Sequence, residues 1–377
     1  MSTKDHKPID TIKAKELLVS RYGEPIWFEH HGPKNLPQPH NYVFKSIVND
    51  QFVFIKGFTD TWAYWWKYEC EVTKALYTYS HKYDTSISAP EVIIEANDPC
   101  YHFITREIVW DTIDFTQLSI TQLTALHKEL SSWFDRFIDD YGPLCNRYNL
   151  GRYSKQLSSL ITLLSKYQKK IKLINKAMIA LLGKIELQQV SWWIKNGEQY
   201  WFIQQNIIYN KKQIISLLKS LLEKIPMDNS SYHFANGSMY GGKLFEWMNG
   251  KKIMIDLDRV WPQFKGKDYI WLIRSRMWLN TSRYKNFEHY QSVFEQTIAD
   301  IDSISGNPDL SRLLIFCKLI GTAFNDYWYL MLSHQSNRSS ITAHSWMIPE
   351  DNAREWINWN FELLHQMYGV SFTVKNT

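Results

Sequence analysis

Residues 232–258 read YHFANGSMYGGKLFEWMNGKKIMIDLD. The stretch follows a turn-forming cluster, Asp228-Asn229-Ser230-Ser231, and is broken by glycines at 237, 241, 242 and 250. Its second half, Lys252-Ile-Met-Ile-Asp-Leu-Asp258, is a short apolar run ending in two carboxylates, which predicts a buried strand delivering acidic groups at its C-terminal end. Leu244-Phe245 and this run are the two arms of a hairpin. A strand that ends in acids is a common way to present a metal ligand.

Upstream, Asn41-Tyr-Val-Phe-Lys-Ser-Ile-Val48 and Gln51-Phe-Val-Phe-Ile-Lys56 flank the turn dipeptide Asn49-Asp50 and predict another hairpin. Helices are expected over Asp10–Tyr22 and Trp62–Ser80, and strands at Pro90–Ile94 and Tyr101–Val109. From Thr121 the pattern becomes helical, with Leu123, Leu126, Leu130, Trp133 and Phe137 at three- and four-residue steps. Further helices are expected at about Ser154–Leu182 and Lys211–Lys224, with Trp192-Trp193 and Tyr200-Trp201-Phe202 between them. Residues 268–367 are read as mostly helical, including Leu310–Ser333 and Asn352–Met367. A small strand-rich unit with a lysine closing its third strand, then a helix bearing glutamates, then a helical region holding a loop and a strand-end Asp, is the order of parts in kinase-type phosphoryl transfer. Lys56 is the phosphate-gripping candidate, with Glu69 or Glu71 to orient it.

The segment from Tyr232 to Pro262 resembles the catalytic and metal-binding stretch of the aminoglycoside phosphotransferase and choline kinase-like family, whose pattern is H-G-D-x-x-x-x-N followed by a strand, a turn and I-D-[FWL]-[ED]. Ile255-Asp-Leu-Asp258 matches the last element, placing the metal-binding Asp at Asp256 and a second acid at Asp258. Phe54-Ile-Lys56 is similar to the family's V-L-K strand, and Glu69-Cys-Glu-Val-Thr-Lys-Ala-Leu76 to its E-x-x-x-L-x-x-L helix. Thr73 replaces the first leucine and Leu76 keeps the second, which favours Glu69 over Glu71. The likeness runs from about Tyr42 to Leu272, leaving out a basic stretch in the middle. It implies a two-lobed, protein-kinase-like α+β fold, with a small mixed-sheet lobe over 1–107 and a large helical lobe over 108–377. The latter comprises a basic helical insert at 151–225 and the catalytic-loop and metal-strand region at 228–262. It implies ATP as nucleotide and Mg2+ at Asp256 and Asp258. Adenine would meet the backbone of a hinge around Thr105, Glu107 and Ile108, and phosphate the backbone N–H groups of a loop ending at Asn41. Asp268 corresponds to an Asp that braces the catalytic loop.

The chain departs from the family at the loop itself. Counting back from Asp256 sets Asn236-Gly-Ser-Met-Tyr-Gly-Gly-Lys243 on H-G-D-x-x-x-x-N. Ser238 therefore stands where the catalytic Asp belongs, and Lys243 where the second metal ligand belongs. Serine does not supply the general-base help worth about 10²–10⁴-fold in rate. An ammonium has only donors and ligates no metal; its charge can sit near a phosphate or pair with Asp256. Three readings follow: a pseudokinase, an active ATP-dependent phosphotransferase acting on a small anionic or neutral hydroxyl acceptor, or nucleotidyl or other transfer on the same fold.

Composition sets the outer limits. The 377 residues carry 45% hydrophobic and 15% aromatic side chains, too much apolar material for a disordered chain. The four cysteines are far apart and form no C-x-x-C pair, so reduced thiols and a cytoplasmic setting are expected. The polar N-terminus does not read as a secretory signal, and no apolar run is long enough to span a membrane. The histidines His30, His31, His40 and His233 match no metal-ligand spacing. Net charge is +5, but residues 151–226 hold thirteen Lys or Arg against three Glu. That +10 island disfavours a polycationic aminoglycoside as acceptor and suits either a solvated helix face or an anionic partner.

Overall fold

Asn49 and Asp50, both at positive φ (51° and 60°), join two strands as a two-residue loop, the geometry whose twist matches a hairpin. The computed structural model describes residues 11–31, 41–58, 63–97, 100–106, 108, 111–115, 118–141, 171–198, 207–236, 243–246, 249–257, 260–270, 272, 287–326 and 350–374. Helix α1 (Thr11–Tyr22) leads into β1 (Trp27–His31), β2 (Asn41–Val48) and β3 (Gln51–Phe58). Helix α2 (Ala63–Tyr83) and the two-residue strand β4 (Ile87–Ser88) precede β5 (Val92–Ala96) and β6 (Tyr101–Arg106). Five of these strands form an antiparallel sheet in the order β1-β2-β3-β6-β5.

Alternation along β3 decides what covers each face of that sheet. Val53 and Ile55 point to one side and form a core with Phe44, Ile104 and Leu18 of α1. Phe58 points to the other and packs with Phe103 and with Trp66 and Cys70 of α2. Lys56 shares the parity of Phe58, so it faces α2.

The chain continues through β7 (Asp111–Thr112), α3 (Ile120–Tyr141), α4 (Ile171–Gly197), β8 (Ile207–Tyr209) and α5 (Lys211–Glu223). Next come β9 (Tyr232–Asn236), β10 (Leu244–Glu246), β11 (Lys252–Met254), β12 (Val260–Phe264), α6 (Phe287–Ser305), α7 (Pro308–Gly321), α8 (Glu350–Tyr368) and β13 (Phe372–Val374). A second sheet, β4-β11-β10-β7, contains the expected β10–β11 hairpin. β11 lies parallel to β4, and Lys252 N donates to Ser86 O at 2.8 Å. The architecture is therefore α+β, a small antiparallel sheet early in the chain and mostly helix thereafter. Two compact units divide it: Met1–Ile113, Leu130–Lys166 and Gly242–Trp261 form one, and Asp114–Glu129, Tyr167–Gly241 and Pro262–Thr377 the other. The β10–β11 hairpin belongs to the first unit, where it pairs with β4 and β7.

In the second unit α7 is the central element. Asn307 caps it, accepting from Asp309 N and Leu310 N, with Pro308 in the first turn. Leu310, Leu313, Leu314, Phe316 and Ile320 are buried, and α4, α5, α6 and α8 all pack against it. β9 pairs with β12, and β8 with β13. Three sequence expectations change here. Trp192 and Trp193 are not in a connection but inside α4, which runs on to Gly197 because Trp193 is buried against α7. The helix expected over 310–333 starts at Pro308, runs to Gly321 and widens into a π turn over Thr322–Asp326, and residues 327–333 lie outside the described residues. The strand expected over 252–258 stops at Met254. The described lysines of the basic stretch, Lys176, Lys184, Lys195, Lys211, Lys212, Lys219 and Lys224, are all exposed on α4, on α5 or at its C-terminal end, while the buried faces are apolar.

A Cβ on Gly321 would meet the Trp193 ring at 3.0 Å, tighter than most real contacts, so that the ring would have to shift by a few tenths of an ångström. Gly321→Ala should therefore overpack this unit by about 1–3 kcal/mol and lower Tm by about 5 °C in a thermal scan.

Candidate functional site

On α2, Trp66, Glu69, Cys70 and Thr73 fall on one buried face, at the three- and four-residue steps that make neighbours on a helix. Thr73 satisfies its hydroxyl internally by donating to Glu69 O at 2.7 Å. Glu69 thus enters the space in front of β3, and Lys56 Nζ donates to its Oε1 at 2.6 Å. Glu71 instead turns outward and pairs with Lys67 and Lys74.

Asp256 arrives from the other sheet of the same unit. Two residues past the end of β11 its backbone turns left-handed, at φ 62°, a conformation that Asp tolerates better than most residues. The carboxylate meets Lys56 Nζ at 2.6 Å through Oδ1 and Lys243 Nζ at 2.8 Å through Oδ2. The hairpin register explains why Lys243 is there. Leu244 opposes Met254, and one step further Ile255 N donates to Lys243 O at 2.9 Å, so the residue before β10 lies beside the residues after β11. The Tyr68 hydroxyl donates to Val260 O and ties α2 to the segment following Asp256.

Four charges of unit size therefore share one site: Lys56 and Lys243, Glu69 and Asp256. Their formal sum is zero. The side chains of Glu69 and Lys243 are 3% and 5% exposed, Lys56 13%, and Asp256 33%, so the aspartate is the member that most faces solvent. Burial alone would raise the Asp256 pKa, but the charges of Lys56 and Lys243, and the hydrogen bonds they donate, hold it far below the usual carboxylate range. The two ammonium groups thus favour the ionised carboxylate over the neutral acid.

Among the described residues this donor set does not fit a magnesium ion. Each Asp256 oxygen already accepts from an ammonium, and no cluster of three His, Cys, Asp or Glu suited to a metal occurs among the described residues. A divalent ion about 2.1 Å from either oxygen would have an ammonium nitrogen within about 5 Å. At an effective dielectric of about 20 that contact repels by about 6 kcal/mol, which a site without Lys243 would not meet at Oδ2.

Of the other sequence-predicted residues, Thr105 is buried in β6 opposite Phe54 and Val92, and Ile108 is half-buried. Asn41 opens β2 opposite Phe58. Ser238, Asp258 and Glu107 lie outside the described residues. In the second unit Asp268 is held by two imidazoles: His127 Nε2 lies 2.9 Å from Oδ2 and His233 Nε2 3.0 Å from Oδ1. Burial would raise its pKa, and the two histidines hold it well below the ordinary value. An ionised carboxylate only accepts, so both Nε2 atoms carry the proton. His127 as a partner escaped the sequence reading; its one signal was a polar residue on the buried Leu123–Leu126–Leu130 face of α3. Tyr68 gave no signal at all, since a tyrosine on a buried helix face reads as core.

No family model matches the chain, and no curated protein matches it. Solved structures do. Spectinomycin phosphotransferase APH(9)-Ia, in complex with ADP and spectinomycin, is 15% identical, covering 94% of this chain and 99% of its own, with a TM-score of 0.42. Aminoglycoside phosphotransferase APH(4)-Ia is 11% identical over 94% of this chain and 98% of its own, with a TM-score of 0.40. An aminoglycoside phosphotransferase from Alicyclobacillus acidocaldarius is 10% identical, covering 98% of this chain and 99% of its own, with a TM-score of 0.41. No described helix is long and apolar enough to cross a membrane.

Proposed function

We propose that this chain is a nucleotide-binding protein of kinase-like type with an altered catalytic loop, acting as a pseudokinase, and that Lys56 and Lys243 are the groups that grip phosphate. The observation that carries this reading is the Lys56 ammonium held between Glu69 and Asp256, at 2.6 Å from each. A lysine fixed on a strand by a buried helix glutamate is a rigid point charge, pre-organised for a phosphate oxygen and incurring little ordering cost when the ligand arrives. The hinge residues Thr105, Glu107 and Ile108 and the backbone at Asn41 complete the proposed nucleotide contacts. Ser238 supports a non-catalytic role, because a hydroxyl at that sequence position holds no proton-accepting charge.

Titration of the protein with a fluorescent ATP analogue, displaced by unlabelled ATP, tests the reading. Saturable binding that ATP reverses is expected, together with no ADP formed above the rate in buffer. Failure of ATP to displace the analogue would overturn the nucleotide assignment, and steady ADP production would replace the pseudokinase by an active transferase.

A further inference from the structure

Lys243 is a cation built into the chain at the point where Asp256 would otherwise need one. Its ammonium lies 2.8 Å from Asp256 Oδ2, its side chain is 5% exposed, and its carbonyl is bonded to Ile255 N at 2.9 Å. Backbone and side chain are thus both fixed against the strand that carries the aspartate. Lys56 occupies the opposite oxygen and is itself fixed by Glu69. Lys56, Glu69 and Asp256 without Lys243 sum to −1, a charge that recruits a cation; with Lys243 they sum to zero and the demand is met.

Resting on the nucleotide reading above, we infer that Lys243 takes the place of the divalent ion and that the site binds a nucleoside polyphosphate free of metal. The lysines are then the positive charges offered to the phosphates among the described residues of this cluster. They interact most strongly with the fully charged, unchelated polyphosphate, because a chelated magnesium ion cancels two of its charges and brings a cation toward two ammonium groups. Magnesium therefore competes with the protein for the nucleotide instead of bridging the two. Asp256 becomes a tether that positions both lysines, and it opposes the incoming anion.

The experiment is displacement of a fluorescent ATP analogue by ATP, run once in EDTA and once in millimolar magnesium, on the wild-type chain and on two variants. Wild type is expected to bind ATP in EDTA about 3–10-fold more tightly than in magnesium. Asp256→Asn moves the local charge from 0 to +1 and is expected to bind metal-free ATP more tightly still. Lys243→Asn exchanges the ammonium for an amide oxygen and reopens the cation site, so its binding is expected to become magnesium-dependent by about tenfold or more. A wild type that binds ATP only with magnesium overturns the inference and leaves the nucleotide reading standing, as does binding in EDTA that is abolished by Asp256→Asn in a variant whose circular dichroism and melting show it folded. Absence of ATP binding in both conditions overturns the nucleotide reading itself. Should a variant not fold, manganese titration of the wild type followed by electron paramagnetic resonance decides the same point: no ion held at stoichiometry supports the inference, and one held ion per chain overturns it.

Discussion

Lys56→Met should weaken ATP binding by about 100-fold, the loss of one charged hydrogen-bond donor to phosphate. The same substitution should lower stability by about 3–5 kcal/mol, because Glu69, 3% exposed, loses the ammonium at 2.6 Å that balances its charge. In a melting scan that corresponds to about 10 °C. The two losses have separate causes and can be separated. In Lys56→Met with Glu69→Leu no charge is stranded against β3, so much of the stability should return while ATP affinity stays low. Recovery of affinity in the double variant would show that the Lys56 charge is not what meets the nucleotide. No recovery of stability would show that the buried pair is not the source of the loss.

Asp268→Asn is expected to cost about as much, about 3–5 kcal/mol, with no direct contact to nucleotide involved. Two Nε2–H groups, from His127 and His233, converge on this carboxylate, and an amide accepts at only one of its two heavy atoms. One donor would be left facing a second donor in a buried place. The effect carries a pH signature. The folded pKa of Asp268 is depressed below its unfolded value near 3.8, so its contribution is complete above about pH 4 and is lost as pH falls below that value toward the folded pKa. The Tm gap between wild type and Asp268→Asn should be full at pH 7 and narrow below about pH 4. A gap that is the same at pH 7 and pH 3.5 would mean that the charge of Asp268 is not what stabilises the fold. ATP affinity at pH 7 should be little changed wherever the variant remains folded, which distinguishes this bracing residue from Lys56.

Lys56, Glu69 and Asp256 were conspicuous in the sequence, whereas Asp268 rested on the resemblance alone. Lys56 closes an apolar run of strand period, Asp256 follows another, and Glu69 sits on a helix between them in chain order. Local physics makes such patterns legible: period two for a half-buried strand, steps of three and four for a helix face, and Asn-Asp for a tight turn. The Asn49-Asp50 hairpin, helix α2 and the β10–β11 hairpin form where those rules place them.

Where local pattern was weak, the reading went astray in ways that share a cause. Trp192 and Trp193 follow a run with little amphipathic contrast, and only the burial of Trp193 against Gly321 keeps them helical. β13 is three residues long and exists because β8 is there to pair with it. The strand carrying Asp256 ends at Met254, earlier than its apolar run suggests, because the chain must turn left-handed to aim the carboxylate.

By itself, then, the sequence determined which residue types are present to do chemistry and in what order: a strand lysine, a helix glutamate, and a lysine and an aspartate at the two arms of one hairpin. These follow from composition and short-range period, which one stretch of chain carries alone. Only the tertiary structure decided who pairs with whom. The sequence already favoured Glu69 over Glu71, but that Lys56 also meets Asp256, that Lys243 turns onto Asp256, and that His127 joins His233 on Asp268 depend on side chains brought together across up to 200 positions of chain. Electrostatic energy at about 3 Å is governed by distance in space, and sequence separation does not encode that distance.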